Sequence, residues 1–184
     1  MRSMIASSSS SDGSFARGLL AMPALPDPLL LAIGKLTVNF SAFEAYVYVA
    51  FCVITGDRGP LARATLSKVD SISIKLSMVF DIAELHKEKQ PMAEALLSHR
   101  SAIWEIVAFR NKIAHSLFLI ADKTSEVTIA TNLFRETRGA KKQTPITAAA
   151  ITKMSLRIYD IIRALSPHIP KSEAVLNLPL PSPS

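Results

Sequence analysis

The sequence predicts an all-α fold, a helical bundle of about five helices, with a small β-hairpin placed before the last helix. Three observations carry that expectation. Hydrophobic residues make up 49% of the 184-residue chain while glycine occurs only 6 times, a balance that favours a helical globular class. Long segments repeat apolar residues at spacings of three and four, the period of a helix with one greasy side. Pro28, Pro91 and Pro145 open three of these segments, where a missing N–H does least harm. The length suits one domain with its own core, placed at residues 23–167.

Residues 1–22 hold the serine run Ser7–Ser11 and then Asp12, Gly13 and Ser14, with no apolar period, so they read as a disordered tail. A secretory leader is not expected there, because no long apolar core precedes a small-residue cleavage site. Asp27 then caps a helix whose first residue is Pro28 and which runs to Thr55, with Gly56 as its stop. Lys35 and Glu44 interrupt this helix, so neither uninterrupted apolar stretch reaches the roughly 18 residues of a membrane span. A cytoplasmic protein with no membrane partner is the expectation.

Residues 60–68 read as a short helix. Ser71 to Lys87 reads as another, with Ile74, Leu76, Val79, Phe80, Ile82 and Leu85 as its apolar set. A charged link from His86 to Gln90 leads to Pro91, which opens a long central helix ending near His115. Ser116–Ala121 and Glu126–Thr131 are β-prone runs around a polar turn, and predict a hairpin. Residues 134–143 carry Arg135, Arg138, Lys141 and Lys142 against Glu136 alone, a basic loop that fits a phosphate backbone or merely a solvated surface. Thr144 caps and Pro145 opens a last helix to Leu165, its core side set by Ile151, Met154, Ile158, Ile161, Ile162 and Leu165. Prolines dominate from there, and residues 168–184 read as a second disordered tail.

Several chemistries have no footing here. The sole cysteine, Cys52, excludes an internal disulfide and a cysteine-rich zinc site, and its apolar helix makes it an inert core residue. Histidines 86, 99, 115 and 168 show no metal spacing. No glycine-rich phosphate loop, dinucleotide fingerprint or nucleophile elbow occurs. No metal and no organic cofactor is expected. The net charge of +6 suits an anionic partner such as nucleic acid, and equally suits ordinary solubility.

One stretch breaks its own pattern. Residues 101–116 are largely apolar at helical spacing, then end in Arg110, Asn111 and His115. With about 100° per residue, Leu96, Val107, Arg110 and Ala114 fall near Ile103, while Leu97, Trp104, Ala108, Asn111 and His115 form a second face roughly 80° to 140° away. Two apolar faces imply burial on two sides, one against the core and one against a partner subunit. Arg110 and His115 diverge by about 140° on a straight helix. Either the helix loosens near His115, or a second copy completes the site about a two-fold axis. Glu44 shares a helix face with Phe40, Val47 and Phe51, and a carboxylate among aromatics needs a partner if it is buried. It is expected to pair with Arg110 or line the same cleft, the alternative being that it simply reaches solvent.

The run Arg110-Asn111-Lys112-Ile113-Ala114-His115 resembles the Arg-x4-His signature of the HEPN superfamily (higher eukaryotes and prokaryotes nucleotide-binding). The resemblance covers residues 27–166: an early helix with an acidic residue in Phe40-Ser41-Ala42-Phe43-Glu44, then short helices, the motif helix and a final helix. It implies a homodimer across the motif helix. It also implies a metal-independent endoribonuclease of toxin or defence type, or a noncatalytic nucleotide- or RNA-binding dimerisation module, with an antitoxin or regulatory protein as a partner. Carried over, His115 would be the general acid/base and Arg110 the phosphate contact, with Asn111 orienting the site and Glu44 an accessory polar residue. Such chemistry needs a group titrating near neutrality and a cation for the developing phosphorane charge, which imidazole and guanidinium supply.

Overall fold

A computed structural model describes residues 24–57, 59–120, 126–130 and 143–170. The expected tail 1–22, residues 171–184 of the second expected tail and the basic cluster Arg135, Arg138, Lys141 and Lys142 lie outside these residues; residues 168–170 belong to the fold instead, with His168 in a 3-10 turn and Ile169 packed against the core. The fold is a helical bundle with a small sheet: α1 (Asp27–Thr55), α2 (Pro60–Thr65), α3 (Ile72–His86), α4 (Pro91–Ser98), α5 (Arg100–Ala114), β1 (Leu117–Ile120), β2 (Val127–Ala130), β3 (Gln143–Pro145) and α6 (Ala148–Leu165).

Helix α1 is the longest element and the one the others pack around. It buries Leu29, Ala32, Leu36, Phe40, Phe43, Val47 and Phe51 along one side. Gly56 ends it in the left-handed region at φ 69°, a conformation glycine takes without a Cβ penalty. Its start differs from the expected cap. Pro26 occupies the cap, without a side-chain hydrogen bond, and Asp27 is already helical. The carboxylate of Asp27 therefore acts in the first turn, where the helix dipole favours a negative charge. A window of this helix has the length and apolarity of a membrane span, with mean hydropathy 1.5, and 44% of that window is buried inside the fold.

Helix α6 lies beside α1 and runs in the same direction. The Nδ2 of Asn39 donates to the Oγ of Ser155 at 2.9 Å, and further along both helices the hydroxyls of Tyr46 and Ser166 meet at 3.3 Å. Ser155 is buried, so the Asn39 contact spares it an unsatisfied hydroxyl, a loss of about 1–3 kcal/mol. The core between the helices is filled by Phe40, Phe43, Phe80, Leu96, Ile103, Ile106, Ile129 and Ile158, all at most 1% exposed. Each such side chain contributes roughly 1.5–3 kcal/mol by leaving water.

Helix α3 buries a narrower stripe than expected: Ile72, Leu76, Val79, Phe80 and Ala83. Ile74 and Leu85 point outward instead, and Leu85 is 82% exposed. One helix face can touch the core, and Ile74 sits about 200° from Ile72.

The long central helix expected from Pro91 is broken. His99 leaves the helical region at φ −97° and ψ 4°, and its N–H turns back to Leu96 at 3.2 Å, a tightened three-residue turn. The break lets α5 clasp α3. The guanidinium of Arg100 lies 5.1 Å from the centre of the Phe80 ring and 3.5 Å from Glu84, and the Trp104 ring packs on Phe80 at 5.8 Å.

The predicted hairpin forms, with Leu117 opposite Ala130 and Ile120 opposite Val127. A third strand joins it. Thr128 faces Pro145 and Ala130 faces Gln143, so β2 is central, with Val127, Ile129 and Ala130 buried. Thr144 and Pro145 thus belong to the sheet and do not start α6. The cap is Thr147, whose side chain accepts the N–H of Ala150 at 3.1 Å.

Candidate functional site

Arg110, Asn111 and His115 occupy the last turn of α5. The first face of that helix is buried as expected, through Ile103, Ile106, Val107 and Ile113. The second face is not covered to the same degree: Trp104 and Asn111 are half-buried and Ala108 and His115 are exposed, while Leu97, expected on the same face, lies on α4 before the break at His99.

Arg110 is half-buried and its guanidinium lies over the ring of Phe40, 5.0 Å from the centroid. The negative ring face attracts the cation there, worth about 0.5–2 kcal/mol depending on desolvation. Its Nη1 also donates to Oδ1 of Asn111 at 3.2 Å. The expected ion pair with Glu44 is absent. The ion pairs among the described residues join Glu84 to Lys87 and Arg100, and Glu105 to Arg157. Phe40 explains the difference. It sits one helical turn before Glu44 on the same side of α1, and its ring takes the place beneath the cation. Glu44 stays half-buried on that side, its charge not joined to Arg110.

Regular helix ends at Ala114, and His115 adopts φ −114° and ψ 16°. The main-chain N–H of His115 donates to the carbonyl of Asn111 at 3.0 Å, and the hydroxyl of Ser116 donates to the carbonyl of Lys112. The imidazole is exposed and makes no side-chain hydrogen bond among the described residues. Asn111 is therefore the joint of the site: its side-chain oxygen holds Arg110 and its main-chain oxygen holds the backbone of His115. Among the described contacts of the chain, none joins the side chains of Arg110 and His115.

Arg110, Lys112 and the exposed His115 follow one another along the C-terminal end of α5, where the negative end of the helix dipole stabilises cations and works against an anion. Among the described residues no ion pair neutralises Arg110. Among the described residues no group of three or more His, Cys, Asp or Glu side chains converges on a point. Cys52 is buried, and burial followed by the charge of Asp57 pushes its thiol pKa up, away from nucleophilic use.

Sequence reasoning placed Arg110, Asn111, His115 and Glu44 but missed Phe40 as the platform of the guanidinium. The signal was present, since Phe40 precedes Glu44 by one turn on the same stripe. A groove of about 680 Å³ lies elsewhere, between the start of α1 and α6, lined by Leu31, Lys153, Leu156, Arg157 and Asp160 among others. Compared with family models, curated proteins and solved structures, the chain matches none.

Proposed function

We propose that the chain is a HEPN-like, metal-independent endoribonuclease whose site is built on Arg110 and His115 and completed across a two-fold dimer at the second face of α5. One observation carries this reading. A half-buried arginine is held by a ring and an amide, with no ion pair among the described residues, and an exposed histidine follows at the end of the same helix. A fully buried arginine needs a paired acid, whereas a half-buried one can pack its stem and leave its head to solvent. This one keeps its charge available for an anion, and its planar donors match the oxygens of a phosphate.

The chemistry needs no group beyond the chain and the RNA. A base removes the proton of a ribose 2′-hydroxyl, and the freed oxygen attacks the adjacent phosphorus. The bond from phosphorus to the 5′-oxygen breaks, and that oxygen takes a proton. The products are a 2′,3′-cyclic phosphate and a 5′-hydroxyl end. His115 is the proposed proton carrier and Arg110 the contact to the crowded phosphorane. Asn111 orients both. Glu44 is an accessory group on the wall formed by α1. The half-covered second face of α5, with Trp104 and Ala108, is the surface through which a second copy brings its own set alongside.

A second reading has its own support. Because no described contact joins the side chains of Arg110 and His115, the same residues suit a noncatalytic module that holds a nucleotide or RNA phosphate. Purified protein incubated with RNA in EDTA separates the two. Catalysis predicts cleavage that falls about 100-fold or more in both Arg110→Ala and His115→Ala. Binding without turnover, lost in Arg110→Ala and kept in His115→Ala, selects the noncatalytic module. Cleavage indifferent to both substitutions sinks the nuclease assignment.

A further inference from the structure

Among the described residues eight large apolar side chains are exposed, and five of them lie on the neighbouring helices α1 and α6. Leu31 and Val38 on α1 are 61% and 65% exposed, and Leu156 and Tyr159 on α6 are 59% and 45% exposed. Leu31 and Val38 are seven residues apart and share one side of α1. On α6, Ala149, Leu156 and Arg163 form the centre line of the outward face, by the same heptad spacing. Leu31 and Leu156 line a groove that joins the two helices.

We propose that this face binds a second copy of the chain, with the two α6 helices packed antiparallel about a two-fold axis passing beside Leu156. The proposal is independent of the ribonuclease reading.

The charge pattern selects the occupant. In an antiparallel pair related by a two-fold axis, residues on the same flank of the stripe face each other. On the flank away from α1 stand Lys153 and Asp160, also seven apart, and neither has an ion-pair partner within its own chain among the described residues. Centring the pair on Leu156 and Arg157 sets Lys153 against the partner's Asp160, and by symmetry Asp160 against the partner's Lys153. Both charges are matched twice by one operation. Leu156 then meets its own symmetry mate, and Ala149 leaves room for the stem of the opposite Arg163. On the other flank, toward α1, Thr152 and Tyr159 face each other, and Leu31 and Val38 continue the apolar surface.

The contact leaves the candidate site free. Phe40, which carries the Arg110 guanidinium, lies about 180° around α1 from Leu31. Two copies joined through α6 therefore hold their Arg110 sites on outward-facing sides. Used together with pairing through α5, two separate isologous faces build an assembly larger than a dimer.

Sedimentation velocity over a concentration series of the full chain tests this. The wild type self-associates. Lys153→Asp and Asp160→Lys each set two like-charged pairs in contact and weaken association at least about tenfold. The double reversal restores the opposite-sign pairs, and with them the wild-type constant to within about threefold. Leu156→Cys forms a disulfide-linked dimer under mild oxidation, whereas Leu61→Cys, exposed on α2, does not. Far-UV circular dichroism and melting confirm that each variant is folded. A wild type that is monomeric throughout overturns the proposal. So does association insensitive to both single reversals, because the copies then meet through another face. Failure of the folded double reversal to recover association overturns it as well.

Discussion

Arg110 is held by two unlike partners, and each does a different job. The Phe40 ring sets where the guanidinium lies without neutralising it, and Asn111 fixes its rotation through one hydrogen bond at 3.2 Å. A carboxylate in either place would lower the pull on a phosphate. The ring contact is measurable by itself. Phe40→Leu keeps an apolar group in the core and removes the π face. A cycle of Phe40→Leu, Arg110→Ala and the double variant, followed by urea unfolding, is expected to give a coupling of about 0.5–1 kcal/mol. Strict additivity would show that the two side chains are merely adjacent. This residue scale was only half legible in the chain. Arg110, Asn111 and His115 stood out because polar groups interrupt an apolar stripe. The partner of Arg110 did not, because charge pairs are what sequence logic looks for, and Glu44 was the nearest candidate on the same stripe as Phe40.

Elements were legible wherever a single residue marks a boundary and illegible where packing sets it. Gly56 stops α1 and Pro91 opens α4, both as their backbone chemistry requires. The break at His99 has no glycine or proline to announce it. It exists because Arg100 and Trp104 both close on Phe80, a contact between distant segments. Thr144-Pro145 imitates a helix start, yet the buried strand β2 takes it as a third strand partner. The true cap is Thr147, and the two threonines give opposite expectations on substitution. Thr147→Ala removes the acceptor for the N–H of Ala150 and is expected to destabilise the chain by about 1 kcal/mol. Thr144→Ala leaves the cap intact and is expected to change stability by under about 0.5 kcal/mol. Equal losses in thermal unfolding would place the start of α6 earlier than the structure does.

At the scale of the molecule, α1 divides two surfaces. On one side Phe40 carries Arg110 and leads to the exposed imidazole at the end of α5. On the other, Leu31 and Val38 join the outward face of α6 in an apolar stripe edged by Lys153 and Asp160, which join no ion pair among the described residues. The all-helical character was readable from composition and period alone, because burial on one or two helix faces leaves its mark at every turn. The division of labour between the two sides of α1 was not readable, since both sides are apolar and only contacts with other helices tell them apart. The role proposed for the Arg110 side is phosphoryl transfer through imidazole and guanidinium. End-group analysis of RNA incubated with the protein in EDTA tests it most directly. The account predicts fragments bearing 2′,3′-cyclic phosphate and 5′-hydroxyl ends, formed by the wild type and lost in a folded His115→Ala. Fragments with 5′-phosphate ends, or cyclic ends still produced at the wild-type rate without His115, would contradict it.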